Sequence, residues 1–457
     1  MLRRDFLTLA SATALQATLR GMARSRSGSA FEGLLSQDKA DFQVRIAPVS
    51  VEIGPGITLR TTGYNGSVPG PILRMREGVP ATVDVFNDTE AEEIVHWHGQ
   101  IIPSEVDGAV EEGTPSVTPH GQRRYTFVPK PAGTRWYHTH MPAGSDLQRG
   151  MYSGQFGFLY VEPKSDPGRY DREIFLAIHQ WEPFTTQMGP PNNGLEIGYR
   201  YATFNDKILG HGDPIRVRAG ERILFRILNA SATDDLHIAL PGHQFLIVAL
   251  DGNAVPTPRS ANVLQIGVAE RIDAMVEMKQ PGVWIFGSTS AAERQKGMGV
   301  VVEYENRRGA PEWTAPPKET WDYGTFGTNE TPAEPDGKFE MVFRKIPGER
   351  VRFNRWTING KSFPDAETLV VQKGKRYRMI FRNESGDTHP LHLHRHTFEI
   401  TNMAGKRAAG VWKDVVLVNP FSSAEIDFVA NNPGLTLFHC HAQLHMDFGF
   451  MTLLKYA

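Results

Sequence analysis

Two short frames, each present three times, constrain this chain more than any other feature of its sequence. The first is a Gly nine residues before an Asn with apolar residues alternating between them: Gly78 to Asn87 (GVPATVDVFN), Gly220 to Asn229 (GERILFRILN) and Gly374 to Asn383 (GKRYRMIFRN). A glycine turn leading into period-two alternation predicts a half-buried β-strand. The second frame follows in each copy: Gly133-Thr-Arg-Trp-Tyr-His138, Gly282-Val-Trp-Ile-Phe-Gly287 and Gly434-Leu-Thr-Leu-Phe-His439. Both recur at steps of about 150 residues, the size of one domain. The chain therefore reads as three related β domains: 40–165, 166–306 and 337–457. The Pro-rich stretch 307–336 connects the last two.

Composition agrees with strands and turns. There are 44 Gly and 31 Pro, and 40% of the residues are hydrophobic, so each copy can bury a core and long helices should be few. The charge balance, 49 Lys+Arg against 51 Asp+Glu, leaves no electrostatic footprint for nucleic acid. A single Cys, Cys440, forbids an intrachain disulfide. The N-terminus reads Arg3-Arg4-Asp5-Phe6-Leu7 and continues into a mildly apolar stretch too short to span a bilayer. Residues 1–30 are expected to be a twin-arginine export signal handled by that machinery, with a periplasmic or otherwise exported mature chain. No later segment is long enough for a membrane span.

The frames also place the chemistry. Ten of the 16 His fall in four motifs: His96-Trp-His98, His138-Thr-His140, His389-Pro-Leu-His392-Leu-His394 and His439-Cys-His441-Ala-Gln-Leu-His445. Counting nine and eleven residues from the frame Asn gives His96 and His98, then Ile238 and Leu240, then His392 and His394. Counting five and seven from the second Gly gives His138 and His140, then Gly287 and Thr289, then His439 and His441. On a strand, alternate residues share a face, so each His-x-His pair projects two imidazoles together. Copies one and three each make a four-imidazole wall, and the two walls must meet. The middle copy is read as a spacer or wall. His120, His179, His211, His237, His243 and His396 fall outside the pattern, with His396 expected to give a supporting hydrogen bond.

Imidazole suits Cu, Zn, Fe and Ni alike. Cys440 narrows the choice. It lies between His439 and His441 and points to the opposite face, so it serves a different ion, with His389 and His445 as the available imidazoles. One thiolate with two imidazoles is the trigonal set of blue-copper electron-transfer sites. Zinc more often takes a second thiolate or a carboxylate. An electron arriving at the Cys440 thiolate has a short covalent path to His439 and His441.

HWHG at 96, WYHTH at 136, HPLHLH at 389 and HCHAQLH at 439 together resemble the signature set of the three-domain, laccase-like multicopper oxidases. The resemblance implies an all-β chain of three cupredoxin-like Greek-key domains and four copper ions. It implies a type 1 copper on His389, Cys440 and His445. The type 2 copper falls to His96 and His392, and the type 3 pair to His98, His138, His140, His394, His439 and His441. The implied reaction couples four one-electron oxidations of a phenolic or aromatic-amine donor to reduction of O2 to water. Many bacterial relatives place an axial Met ten residues after the Cys, where this chain has Phe450. A three-coordinate type 1 copper of raised potential follows, unless Met451 takes the axial place by a one-residue shift. Asp107 matches a family acid near the type 2 copper and is the expected proton relay. Met446 stands where some relatives carry a second acid. Two alternatives accompany the phenol oxidase: a periplasmic oxidase of Cu(I) or Fe(II) in metal tolerance, and a copper-free cell-division scaffold. The scaffold fits poorly with a complete ligand set, and the 14 Met are dispersed rather than clustered as a Cu(I) docking insert would require.

Overall fold

The computed structural model describes residues 39–164, 168–187, 194–348 and 352–457. The leader read over 1–30 and the domain boundary at 165/166 lie outside the described residues. The regular secondary structure of the described chain is nearly all strand, arranged in six sheets. They pack as three β-sandwiches of cupredoxin-like Greek-key topology, as the repeats and the resemblance predict.

In the first sandwich one sheet runs Ile57–Tyr64, Phe42–Gly54, Ala81–Asn87 and Gln122–Phe127. The other runs Gly70–Arg76, Phe156–Glu162, Gly133–Thr139 and Val95–His98. Inward residues from both, including Val44, Val83, Val85, Trp97, Tyr125, Tyr137 and Leu159, form the core between them. The middle and third sandwiches each pair a six-stranded with a five-stranded sheet.

The repeated frames occupy the same place in each sandwich. Strands Ala81–Asn87, Arg222–Asn229 and Arg376–Asn383 each pair in parallel with the strand that opens their repeat and antiparallel with a later one. The glycines that precede them, Gly78, Gly220 and Gly374, have φ of 79°, 83° and 84°, the left-handed region that only glycine enters without strain. Each frame Asn is buried and donates its side-chain amide to loop carbonyls: Asn87 to Ala91, Asn229 to Asp234, Asn383 to Asp387. Gly133 and Gly434 are also left-handed. Gly282 is not among the left-handed glycines, and in the middle copy Ile238 faces Ser288 rather than Gly287, one residue beyond the count.

The Pro-rich stretch after the middle sandwich is not a loose tether. Tyr323 and Phe326, on a single 3-10 turn, are buried in the core shared by the second and third sandwiches. Tyr323 donates its hydroxyl to Glu270. Nearby, a fully buried ionic junction joins all three repeats. Arg135 comes from the first, Asp251, Glu270 and Arg271 from the second, and Lys413 and Asp414 from the third. Removing one member of such a set strands an opposite charge in low dielectric, at a cost of about 3–5 kcal/mol.

Candidate metal centre

The four His motifs converge where the first sandwich meets the third. Strands Val95–His98 and Gly133–Thr139 pair with His96 opposite His138. Strands His389–Leu393 and Thr436–Cys440 pair with His392 opposite His439. The two walls therefore present their imidazoles in equivalent registers, facing each other. Three groups form, each with one ligand atom per residue and all atoms of a group within 4.8 Å of one another: His98, His138 and His441; His140, His394 and His439; and His96, His98 and His392. All eight imidazoles are buried.

Ring nitrogens settle how these imidazoles can act. Nδ1–H of His96, His138, His392 and His439 donates to the backbone carbonyls of Asp107, Thr139, Asp414 and Cys440, at 2.9, 2.8, 2.7 and 2.9 Å. His394 Nδ1–H donates to Asp107 Oδ2 at 2.9 Å. The opposite nitrogens turn inward, and His394 Nε2 lies 3.0 Å from His439 Nε2. His96 Nε2, His392 Nε2, His140 Nδ1 and both nitrogens of His441 are buried with no hydrogen-bond partner among the described residues. Burial, reinforced by the neighbouring imidazoles, holds His98, His138, His140, His394, His439 and His441 far below the usual histidine range. Neutral rings with lone pairs converging in a buried space, and no protein partner for them among the described residues, are suited to bind a metal ion.

Cys440 faces the other way. Its Sγ lies 3.4 Å from His445 Nδ1 and 3.7 Å from His389 Nδ1, and those two nitrogens are 3.1 Å apart. The short helix Gln443–Asp447 returns His445 to the thiol. His389 Nε2 is anchored on Ser385 Oγ, and His445 stacks on Trp356 with ring centroids 4.1 Å apart. Burial pushes the Cys440 thiol well up, so it would release its proton only when a bound cation stabilises the thiolate. The Phe450 ring packs edge-on against His389, with centroids 4.7 Å apart. Met451 lies opposite His439 in the sheet and packs with Ala109, Leu437 and Met446.

Asp107 ends the one-turn helix Ser104–Asp107 and is fully buried, with Oδ2 3.2 Å from His96 Nδ1. Two neighbours escaped the sequence reading. Glu112 accepts from the Leu437 amide, and its Oε1 is 3.5 Å from His394 Nδ1. Burial, then the charge of Asp107, raises Glu112 well above the usual carboxylate range. Asp414 carries His98. The only signals available were an acid pair at 111–112 soon after Asp107 and the Lys-Asp step at 413–414, neither specific. Of the six remaining histidines, none enters a metal-competent group among the described residues. His396 Nε2 meets the Tyr456 hydroxyl, and His120 pairs with Glu90 at the surface.

A sandwich triplet carrying a thiolate-and-imidazole site beside an eight-imidazole chamber defines a copper-dependent oxidoreductase. Sequence models described as multicopper oxidase match residues 46–166, 188–307 and 340–457, and the chain belongs to the multicopper oxidase family. It is 29% identical over 447 residues to multicopper oxidase MmcO of Mycobacterium tuberculosis, covering 90% of this chain and 85% of the relative. It is 26% identical over 451 residues to bilirubin oxidase of Albifimbria verrucaria, covering 90% and 75%. The solved multicopper oxidase of Pseudomonas thermotolerans superposes with a TM-score of 0.72 at 26% identity, covering 92% of this chain and all of that one.

Proposed function

We propose that the chain is a laccase-like oxidase of small phenols and aromatic amines, with four copper ions. The type 1 ion would be held by His389, Cys440 and His445, with the Phe450 ring beside His389 offering no donor atom, and the type 2 ion by His96 and His392. The type 3 pair is assigned to His98, His138, His140, His394, His439 and His441. When bound, these ions supply one-electron oxidation of the donor at the thiolate site and four-electron reduction of O2 to water at the other three. The three domains are proposed at 40–165, 166–306 and 337–457, with 307–336 as the connection between the last two.

The observation that carries the donor class is an open cavity of about 570 Å³ with His445 in its wall. That volume suits an organic molecule. Asp234, Glu196 and Asp387 share the lining, and burial raises the carboxyl groups of Asp234 and Glu196. A carboxylate beside His445 accepts the proton that a phenol or arylamine loses as its electron leaves. The exposed ring of Phe421 adds an aromatic surface: a methyl group built on Gly386, in the cavity wall, would meet Phe421 Cζ at 3.9 Å. An electron arriving at Cys440 would have a path of one peptide to His439 or His441.

The acidic lining favours a second reading, oxidation of Cu(I) or Fe(II). Comparing kcat/KM for a methoxyphenol with that for Cu(I) and Fe(II) in the copper-loaded protein separates the two. Full copper loading with no phenol oxidation would overturn the first. Residues 1–30 are proposed as a twin-arginine leader that exports the folded chain, and replacing Arg3 and Arg4 with Lys should leave it in the cytoplasm. No helix of the described residues is long and apolar enough to cross a membrane.

A further inference from the structure

Of the six chamber imidazoles with a ring nitrogen on a protein oxygen atom, one is turned around. His98 meets its partner through Nε2, at 3.1 Å from Asp414 Oδ1, and its Nδ1 lies 3.4 Å from His138 Nε2 inside the chamber. Where the other rings are anchored on protein oxygen atoms, the anchor is Nδ1: His96, His138, His392, His394 and His439.

Asp414 is held by guanidinium groups from two other repeats. Arg271 forks onto it, Nη1 to Oδ1 at 2.7 Å and Nη2 to Oδ2 at 2.6 Å, and Arg135 Nη1 reaches Oδ2 at 3.1 Å. Arg271 is itself fixed by the carbonyls of Thr134, Ala269 and Asp251. The Asp414 and Val415 amides donate to Asp251 Oδ2, which also pairs with Lys413 at 2.9 Å. The residue after His98 is Gly99 with φ 79°, where an added Cβ would lie 2.5 Å from Asp414 Oδ2. The chain is thus cut back to let this carboxylate approach. A carboxylate already accepting from two guanidiniums can only accept from His98 as well, so His98 must carry its proton on Nε2.

We propose that Asp414, clamped by Arg271 of the metal-free middle repeat, is the positioning residue that fixes the His98 tautomer and leaves Nδ1 as its ligating atom. The middle repeat is then more than a spacer, since its Arg271 reaches the chamber through a single carboxylate. The backbone carbonyl of Asp414 also takes Nδ1–H of His392, so this one residue orients two rings. The inference rests on the ligand assignment above.

The test is copper loading of the full chain, read by metal analysis, by the blue band for the Cys440 site, and by the near-ultraviolet band of the type 3 pair. Wild type is read first, and a chain that forms neither band overturns the ligand assignment itself. In Asp414→Asn the blue band is expected to persist while copper affinity in the chamber falls about 10–100-fold, with loss of the type 3 band. Arg271→Lys keeps the charge but not the fork and should show the same selective loss to a smaller degree. It is the deciding variant if Asp414→Asn does not fold. Nitrogen NMR of histidine-labelled full chain before copper addition should show the proton of His98 on Nε2. A His98 proton on Nδ1, an intact type 3 band in Asp414→Asn, or equal loss of both bands in Arg271→Lys would overturn the proposal.

Discussion

The Phe450 ring stands edge-on to the His389 ring at 4.7 Å, with interplanar angle 72°. It also packs on Phe343 at 4.8 Å and is fully buried. Cys440 donates its amide to the Phe450 carbonyl at 3.1 Å, which ties the position of this ring to the thiol strand. Met451 follows on the other face, beside Leu437. A hydrocarbon ring donates no lone pair, and loss of an axial donor stabilises Cu(I) relative to Cu(II). Phe450→Met should therefore lower the reduction potential of the blue site, whereas Phe450→Leu should leave it near wild type. Both swaps keep the core apolar, and the lost ring volume should cost about 0.5–3 kcal/mol. Redox titration of the blue band checks this. A potential unmoved by Met would mean that position 450 does not reach the metal.

Asp107 supports a different prediction. Its Oδ2 accepts a hydrogen bond from His394 Nδ1–H at 2.9 Å, and Asn can still accept that bond through its amide oxygen. Asp107→Asn therefore keeps the ring in place and removes only the group able to exchange a proton. Reoxidation by O2 should slow by roughly 100-fold or more, with the blue absorbance unchanged, as stopped-flow mixing of the reduced protein with O2 would measure. Glu112→Gln tests whether the neighbouring buried acid shares the task. It should slow the same step less, since Glu112 reaches His394 Nδ1 only at 3.5 Å.

The division between what could and could not be read in advance follows sequence separation. His96 and His98, or His439, Cys440 and His441, announce themselves because alternation along one strand decides which face each side chain takes. The threefold frames then give the register, since Gly78, Gly220 and Gly374 adopt one backbone conformation. Asp414 gives no such sign. It lies 316 residues from His98 and 143 from Arg271, and only the docking of three sandwiches brings them together. Glu112 is likewise silent, because the Leu437 amide it accepts from is 325 residues away. Tyr323 and Phe326 sit in a stretch whose Pro content reads as a connection, yet tertiary packing buries both.

His179 makes stability depend on pH. It is fully buried, donates Nδ1–H to the Ala230 carbonyl at 2.6 Å and packs against Phe156 and Trp181. Burial lowers it from 6.5 to about 4. Between those values the unfolded chain binds a proton that the folded chain does not, so stability is full above pH 6.5 and falls as pH drops towards 4. One such group contributes a slope of up to about 1.4 kcal/mol per pH unit. Urea unfolding of His179→Gln across this window should give a flatter curve than wild type, even if the variant is less stable throughout. Parallel curves would show that His179 is not the group responsible.

Phe421 is held with φ at 53° and is 76% exposed, its amide bonded to the Ser385 carbonyl at 3.2 Å. A bulky residue in the left-handed region costs on the order of 1–3 kcal/mol, and an exposed ring recovers none of that by burial. Ser385 in turn anchors His389 and lines the cavity that reaches His445, so this turn connects that cavity to the thiolate site. Aromatic pairing is worth about 0.5–1.5 kcal/mol. Phe421→Ala should therefore raise KM for a methoxyphenol by about 2- to 10-fold while leaving kinetics with Fe(II) or Cu(I) unchanged. Phe421→Gly should raise the phenol KM equally but fold more stably than the alanine variant, because glycine accepts the turn. Equal losses with phenol and metal-ion donors would instead place the effect in the Ser385–His389 contact, and the blue band would move with it.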